Sequence, residues 1–465
     1  MKTVLILGGG ITGLSTAYEL EKQINEQEEV NIILADASSK LGGKIRTEKQ
    51  DDFIMETGAD SIVSRKIVPT GIIEELGIQD EVVYNSVGTS YLFVDGTLKQ
   101  IPADSVFGIP ASIRALVESE LVSAEGKVEA LKDYYTNDRK FTGTDSIGEF
   151  LSYYLGKELT EKQIAPVLSG VYSGNLNDLS IQSTMPYLLE YKERYGSILK
   201  GIEKNKGRFL GNNEKKFLSF QNGLSTIIGA FEKQLTRTEI MLSHEAVEIV
   251  SLDNQYVVRF NNCSEVTADY VVLSIPHNKA EKLFVNEQII DAFSDFQMNS
   301  IITVYLGFKV PDEILPENGT GFITTPNESL ICCGCTCTSR KWKHTSKNGN
   351  LLVRLFYKNN HPRFAEIKEM GNEELIDLAL SDLEKSLQLN EKPIVSNITK
   401  WMKQMPTYQK SHPETVEKLE KILENNFPGI FIAGCSYYGA GIPDCIENGR
   451  ETAKKVVHTI FERVN

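Results

Sequence analysis

The amino-acid sequence predicts an α/β fold in which a parallel, dinucleotide-binding sheet is interrupted by a second domain. The first observation is an apolar run over residues 3–7 that leads into the glycine-rich segment 8–13. The second is another apolar run, residues 31–35, that ends on Asp36. The third is a strand at 429–434 that leads through further glycines into a helix. Strand, glycine turn and helix in this order predict a Rossmann-like domain.

The glycines of segment 8–13 have separate tasks. Gly8 makes the tight turn, Gly10 lets the backbone approach a pyrophosphate, and Gly13 lets a helix pack close to the strand. That helix is predicted over residues 14–24, and its unpaired N–H groups and dipole attract an anionic pyrophosphate. A lone turn of this kind also occurs as a simple loop, so its context decides. The predicted cofactor residues at this turn are Gly8, Gly10, Ile11, Thr12 and Gly13.

Asp36 supplies part of that context. It stands about twenty residues beyond Gly13, where a carboxylate binds a ribose hydroxyl. An unphosphorylated ribose, as in NAD or FAD, is therefore expected, and a solvated acid at a strand end is the alternative. The pair Gly42-Gly43 follows, and a glycine pair lets the backbone pass close to a bulky ligand.

The composition is that of an ordinary globular chain. Its 465 residues, 41% of them hydrophobic, can bury a large core and predict two intertwined domains. The net charge of −14 argues against nucleic-acid binding and against nonspecific attraction to anionic lipid. No apolar run reaches the roughly eighteen residues of a membrane span, and the N-terminal apolar stretch is too short for a signal peptide. We therefore expect a cytoplasmic protein.

Five consecutive segments are predicted. The nucleotide-binding domain comprises residues 1–85, 217–285 and 425–465, with paired strands at 240–243 and 245–250. A mostly helical insert, residues 86–216, begins with a hairpin at 91–98 that turns on an Asp-Gly pair. An antiparallel sheet with helices over 286–424 completes the substrate domain.

The seven cysteines point to reduced thiols, because the chain carries no secretory signal. Four of them fall in residues 332–337, which raises a metal site as an alternative. Cys333, Cys335 and Cys337 alternate as one face of a strand does, and the sequence has no second ligand pair at zinc-finger spacing. A buried strand that binds no metal is expected.

Two groups of basic residues are candidates for contact with an anion. Arg65 and Lys66 are the first basic pair after segment 58–61, and a solvated pair at the start of a helix is their alternative interpretation. A basic island at 192–216 has eight basic and three acidic side chains. It is either a solvated loop or a surface that attracts an anionic substrate or lipid head group.

Several segments together resemble flavoproteins of the amine oxidase and porphyrinogen oxidase superfamily, which are of the GR2 type. They are Gly-Gly-Lys at 42–44, Gly-Ala-Asp-Ser at 58–61, the Trp segment at 401–408, and Gly-Ala-Gly-Ile-Pro-Asp-Cys-Ile at 439–446. The order in the last segment is similar to the bacterial, Gram-positive type of protoporphyrinogen and coproporphyrinogen III oxidases. Two departures are Asp36 in place of the more usual glutamate, and Gly434-Cys435 in place of Gly-Asp.

This resemblance implies noncovalently bound FAD. It places Val247 against the adenine through its backbone and Trp401 beside the flavin. Beyond the glycine turn, the implied FAD residues are Asp36, Ala37, Gly43, Lys44, Gly58, Ala59, Asp60, Ser61, Val247, Trp401, Gly434, Gly441, Ile442 and Pro443.

The implied activity is that of an FAD-dependent oxidase of haem biosynthesis. It would oxidise coproporphyrinogen III, or protoporphyrinogen IX, with oxygen as acceptor and hydrogen peroxide as product. Lys66 and Arg65 are expected to engage the substrate at the active site. Transient contact with haem-pathway enzymes and peripheral contact with a membrane are also implied. The alternatives are an NAD-dependent dehydrogenase, another amine oxidase-type flavoprotein, and a non-catalytic porphyrin-binding protein.

Overall fold

The computed structural model describes residues 1–24, 29–86, 88–172, 175–210, 215–324, 329–409 and 411–462. In chain order, the strands are β1 (Lys2–Leu7), β2 (Val30–Ala35), β3 (Thr47–Gln50), β4 (Phe53–Glu56), β5 (Ile62–Val63), β6 (Val82–Tyr84), β7 (Thr89–Val94), β8 (Thr97–Gln100), β9 (Ser105–Val106), β10 (Ile109–Pro110), β11 (Phe217–Phe220), β12 (Thr238–Met241), β13 (Ala246–Leu252), β14 (Gln255–Phe260), β15 (Glu265–Ala268), β16 (Tyr270–Leu273), β17 (Gln297–Pro311), β18 (Gly319–Thr324), β19 (Gly334–Cys337), β20 (Asn350–Lys358), β21 (Val395–Thr407) and β22 (Ile430–Ile432).

The α-helices, in the same order, are α1 (Ile11–Gln23), α2 (Ser64–Ile67), α3 (Ile72–Glu75), α4 (Ile113–Glu118), α5 (Ala124–Leu131), α6 (Ile147–Leu155), α7 (Lys157–Leu159), α8 (Ala165–Tyr172), α9 (Ile181–Thr184), α10 (Tyr187–Tyr195), α11 (Ile198–Asn205), α12 (Gly207–Leu210), α13 (Ser225–Gln234), α14 (His277–Ala280), α15 (Glu287–Ser294), α16 (Thr338–Lys341), α17 (Phe364–Ile367), α18 (Asn372–Leu387), α19 (His412–Asn426) and α20 (Ile442–Glu462).

The predicted nucleotide-binding sheet is present and wholly parallel, in the order β12-β2-β1-β16-β22. β1 lies at its centre with Val4 to Ile6 fully buried, which explains the continuous apolar run. Helices α1, α13 and α20 pack on one face. The small sheet β13-β14-β15 and helices α15 and α19 cover the other. The carboxyl ends of all five strands therefore meet at one edge, where ligands of doubly wound sheets bind.

The second large sheet has the order β21-β17-β20-β19-β18-β7-β8. It is mixed, because β18 runs parallel to β7 while its other pairs are antiparallel. The hairpin predicted at 91–98 is confirmed as β7 and β8 and forms one edge of this sheet. Cys335 and Cys337 are buried on β19, as the alternation predicts. The same prediction is wrong for Cys333, which precedes the strand and is only half-buried. Within the described ranges, the structure groups no three potential metal ligands together.

The predicted pairing of the strands at 240–243 and 245–250 is wrong. Strand β12 runs parallel to β2, with Thr238 opposite Ile32, whereas β13 pairs antiparallel with β14. The chain turns between them at Ser243, whose φ is 58°. Strand β12 is thereby the outer strand of the parallel sheet.

The helical insert has its own core, built on buried residues of α4 to α11. Lys192 of the predicted basic island belongs to this core and not to the surface. Its ammonium lies 2.8 Å from Asp133 Oδ1, and the two side chains are 6% and 0% exposed. The other oxygen of Asp133 accepts hydrogen bonds from the Ser197 hydroxyl and the Leu199 N–H. Residues 211–214 of the island lie outside the described residues.

None of the helices in the described ranges is long and apolar enough to cross a membrane.

The Lys192–Asp133 pair predicts a large stability effect in the insert. Lys192→Met would leave the Asp133 carboxylate buried without its cation, and breaking such a pair costs about 3 kcal/mol. We expect the free energy of unfolding in urea to fall by about that amount. Arg194→Met is the matched control, because Arg194 is 66% exposed and its loss should cost less than about 0.5 kcal/mol. Equal unfolding midpoints for both variants would contradict the assignment.

Candidate functional site

A cavity of about 630 Å³ opens at the carboxyl edge of the parallel sheet. Its volume lies within the range of about 300–1,000 Å³ that is usual for small-molecule sites. Its wall is formed by the turns that follow β1, β2 and β22 and by the middle of β21. The sequence-predicted residues that line it are Gly8, Gly10, Ile11, Thr12, Asp36, Ala37, Gly43, Lys44, Ala59, Trp401, Gly434 and Ile442.

The turn after β1 leaves the space that a pyrophosphate needs. A Cβ atom built on Gly10 would meet nothing within 4 Å, so a side chain there would extend into free volume. Helix α1 begins at Ile11, and Gly10 gives its first N–H groups no side-chain cap. These N–H groups are therefore available to an anion in the cavity.

Gly13 acts in packing, as the sequence predicts, and does not line the cavity. A Cβ atom on it would lie 1.9 Å from the Gly8 carbonyl oxygen. Gly58 is similar, since its Cβ would lie 1.8 Å from the Lys44 carbonyl oxygen. At both positions, the absence of a side chain allows two backbone segments next to the cavity to pack closely.

The charged groups in the wall suit the two ends of a dinucleotide. Asp36 accepts hydrogen bonds from the N–H groups of Gly9 and Ser38, at 2.6 and 2.7 Å. Lys44 donates to the Cys435 thiol at 3.3 Å. A thiol is a weak acceptor, so Lys44 can still bind a phosphate oxygen in the cavity.

Trp401 fixes the opposite wall. Its indole N–H donates to the Thr57 carbonyl at 2.8 Å, and the Arg46 guanidinium lies 5.5 Å from its ring centre. Arg46 also lines the cavity. The indole thus links β21 to segment 57–61 by a hydrogen bond, and the Arg46 guanidinium lies beside the indole ring.

Segment 58–61 is surrounded by charged side chains that are buried or partly buried. Burial by itself would raise the pKa of Asp60, but Lys341 and Arg354 outweigh it and lower the pKa to about 2. Lys341 lies 3.2 Å from the Asp60 carboxylate. Arg354 is 4% exposed and donates to the Gly58 carbonyl at 3.0 Å. Ser61 donates to Asp60 at 2.8 Å and, like Asp60, is not among the described residues that line the cavity.

Glu56, two residues before this segment, is a buried acid whose pKa is shifted in the opposite direction to that of Asp60. Its two oxygens accept hydrogen bonds from the Leu224 N–H and the Thr47 hydroxyl, at 2.8 and 2.9 Å. Burial nevertheless dominates and raises its pKa to about 7. Glu56 therefore changes charge near neutral pH beside the cavity wall.

The remaining predicted residues lie near the cavity without lining it in the described structure. Val247 sits at a bulge of β13 and is 48% exposed, and Ala246 lines the cavity in its place. Gly441 and Pro443 flank Ile442 at the start of α20.

A second cavity, of about 1030 Å³, is lined mainly by strands β7, β18, β19 and β20 of the second large sheet. Its wall contains three lysines, Lys216, Lys341 and Lys358, together with aromatic rings such as those of Phe217 and Phe356. Arg354, Phe356 and Lys358 alternate onto one face of strand β20, and Phe356 and Lys358 line this cavity. Arg354 contacts the Gly58 carbonyl and stands 4.9 Å from the Phe356 ring centre.

Lys66 and Arg65 are both exposed on α2 and are not among the described residues that line either cavity. The Lys66 ammonium lies 2.8 Å from Asp444 Oδ1, in the first turn of α20. Their part in substrate binding stays a prediction.

Comparison with known proteins identifies the family. A profile described as flavin containing amine oxidoreductase matches residues 11–457, nearly the whole chain. This chain belongs to that family. It is 31% identical to the coproporphyrinogen III oxidase of Bacillus subtilis (strain 168), over 99% of both chains. It is 29% identical to the coproporphyrinogen III oxidase of Staphylococcus aureus (strain NCTC 8325 / PS 47), over 98% of this chain and 99% of that one.

Solved structures agree with this assignment. A crystal structure of a provisionally assigned protoporphyrinogen oxidase from Exiguobacterium sp. 255-15 matches with a TM-score of 0.89 and 29% identity, over 98% of each chain. UDP-galactopyranose mutase has the same fold, with a TM-score of 0.73, 16% identity, and coverage of 99% and 97%.

Family membership confirms the predicted fold, the resemblance on which it depends, and FAD as the cofactor. The free volume at Gly10, the acid at Asp36 and the cations Lys44 and Arg46 fit that cofactor. The sequence-based reasoning missed Arg46, Lys341, Arg354 and Lys358. A signal for Arg354 was available, because it is a charge inside the apolar run of residues 351–357.

The glycine turn predicts a loss of cofactor without a loss of fold. Gly10→Val should fill the free volume beside the α1 N-terminus, and we expect the protein to purify without visible flavin absorbance while its thermal unfolding stays cooperative. Gly229→Val is the control, since a Cβ atom there also meets nothing within 4 Å but lies on α13, away from the cavity lining. FAD retained in stoichiometric amount by Gly10→Val would contradict the assignment.

Glu56 predicts that stability falls with rising pH. Its pKa is raised from 4.5 to about 7 in the folded state, so the stabilisation is complete below the unfolded pKa and is lost as the pH rises through about 7. We expect the wild-type free energy of unfolding to fall by about 3 kcal/mol more between pH 5 and 8 than that of Glu56→Gln. Parallel pH curves for the two proteins would show that Glu56 does not titrate in this way.

Proposed function

We propose that this protein is a coproporphyrinogen III oxidase of haem biosynthesis that uses FAD and molecular oxygen. The observation that carries the proposal is the second cavity, which combines aromatic walls with three lysines, one of which, Lys341, pairs with Asp60 of segment 58–61. Such a wall suits a large tetrapyrrole with propionate groups. The coproporphyrinogen III oxidases of Bacillus subtilis and Staphylococcus aureus, similar over their full lengths, support the same substrate.

The reaction removes six hydrogens from the porphyrinogen as three hydrides and three protons. Bound FAD would accept the electron pair of each round and transfer it to oxygen. Three oxygen molecules are thereby reduced to three molecules of hydrogen peroxide, and one aromatic porphyrin is formed. Because aromatisation favours the product, the protein needs little acid–base chemistry and mainly has to bind and orient the macrocycle.

The chain's own residues divide this work. The α1 N-terminus, Lys44 and Arg46 would bind the diphosphate, and Asp36 the ribose. Arg354 and Trp401 hold segment 57–61 by hydrogen bonds to the Gly58 and Thr57 carbonyls. The lysines of the second cavity would bind the propionates. Transient contact with neighbouring haem-pathway enzymes is part of the same proposal.

A side-by-side assay tests this function. Purified, FAD-loaded protein is given coproporphyrinogen III or protoporphyrinogen IX in air, while porphyrin fluorescence, oxygen uptake and peroxide are followed. We expect coproporphyrin III to form faster, with three oxygen molecules consumed per porphyrin. Turnover of protoporphyrinogen IX alone would show that the proposed substrate is wrong. Turnover only with an artificial electron acceptor would show that oxygen is not the acceptor. Porphyrin binding without any turnover would favour the non-catalytic alternative.

Lys66 provides a further test of how the substrate is bound. If Lys66 engages the substrate by charge, Lys66→Ala should lower kcat/KM about tenfold, or about 1.4 kcal/mol, and Lys66→Arg should restore most of it while flavin content is unchanged. Loss of kcat at saturating substrate without rescue by arginine would instead indicate a positioning or proton-transfer role. Unchanged kinetics would show that Lys66 does not engage the substrate and only forms its ion pair with Asp444.

A further inference from the structure

The second cavity carries positive charge without compensating acids in its wall. Its described lining contains three lysines and neither aspartate nor glutamate, although the whole chain has 63 acidic against 49 basic residues. Cations gathered in a concave, partly apolar wall attract anions more strongly than the same cations on an open surface.

The three lysines occupy two positions. Lys216 and Lys341 stand over the same Phe217 ring, 5.8 and 5.6 Å from its centre, and so form one group. Lys358 ends β20 in the large sheet, beside Cys333. Aromatic and aliphatic side chains, including Phe356 and Ile301, complete the wall.

Two of these lysines are available to a ligand. Lys341 is held by Asp60, whereas Lys216 and Lys358 have no carboxylate partner within the described part of the chain. Burial lowers the pKa of Lys358. The Lys216 residue is exposed as a whole, but desolvation of its ammonium against the wall, followed by repulsion from Arg65, lowers its pKa. Binding a carboxylate would offset both unfavourable effects.

We propose that Lys216, beside Lys341, binds the propionates common to both porphyrinogens, and that Lys358 binds those found only on coproporphyrinogen III. The inference rests on the proposed function and adds the residues that select the substrate. Coproporphyrinogen III carries four propionates around the ring, whereas protoporphyrinogen IX keeps two on adjacent pyrroles and has vinyl groups on the others. A ligand with propionates on one side alone can therefore use one of the two positions.

The test measures equilibrium binding of the two product porphyrins, coproporphyrin III and protoporphyrin IX, to FAD-loaded protein by fluorescence. For Lys358→Gln we expect the Kd of coproporphyrin III to rise about tenfold and that of protoporphyrin IX to change less than threefold. For Lys216→Gln we expect both to rise about tenfold. Lys358→Arg should keep most of the wild-type affinity, because the charge is retained.

Lys200→Gln is the matched control, since it removes one exposed lysine charge on α11 outside the described lining of either cavity. It should leave both Kd values, flavin content and thermal midpoint unchanged. An equal rise of both Kd values in Lys358→Gln, or no rise, would overturn the assignment of Lys358. Wild-type protein that binds coproporphyrin III with this pattern but oxidises neither porphyrinogen would instead overturn the proposed function and leave the two binding positions in place.

Discussion

The close packing of α1 between the parallel sheet and α20 is the constraint on which the site depends. On one side, a Cβ atom at Gly13 would lie 1.9 Å from the Gly8 carbonyl oxygen. On the other, a Cβ atom at Gly449 would lie 2.6 Å from the Thr12 carbonyl oxygen. Because glycine stands at both points, the two helices approach closely and both begin at the cofactor cavity. The N-terminal and C-terminal parts of the chain are thereby joined, and the segments between them can form separate layers.

Arg354 has a corresponding role at segment 57–61. A buried guanidinium is costly unless its N–H groups and charge are compensated. Here the Gly58 carbonyl accepts from one N–H group, and the guanidinium carbon lies 5.2 and 4.9 Å from the ring centres of Tyr305 and Phe356. Asp60 is held ionised nearby, whereas the buried Nε of Arg354 has no hydrogen-bond partner among the described residues. Glu56 has no comparable ion pair among the described residues, so its pKa moves in the opposite direction. The pKa values of these neighbouring acids thus move in opposite directions mainly because Asp60 has cationic partners at close range.

The sequence was sufficient for the parallel sheet, the phosphate turn and the hairpin of β7 and β8, because local patterns determine all three. It was insufficient for partners that are distant along the chain. The apolar run at 240–243 is compatible with pairing to several strands, and the observed pairing depends on its contact with β2 in the fold. Lys192 looks like part of a basic surface until Asp133, 59 residues away, is placed beside it. Ala246 lines the cavity in place of Val247 because of a bulge in β13 that the residue types in the sequence do not predict.

This difference between local and distant information also explains the charge of the second cavity. In the sequence, Lys66, Lys216, Lys341 and Lys358 are four equivalent cations of an acidic chain. In the fold, Asp444 and Asp60 pair with Lys66 and Lys341, so part of their charge is already compensated. A salt bridge at a partly exposed site is worth little, but it reduces what either partner can offer a third group. Attraction of an anion therefore depends less on how many lysines are present than on which of them the fold leaves without an acid.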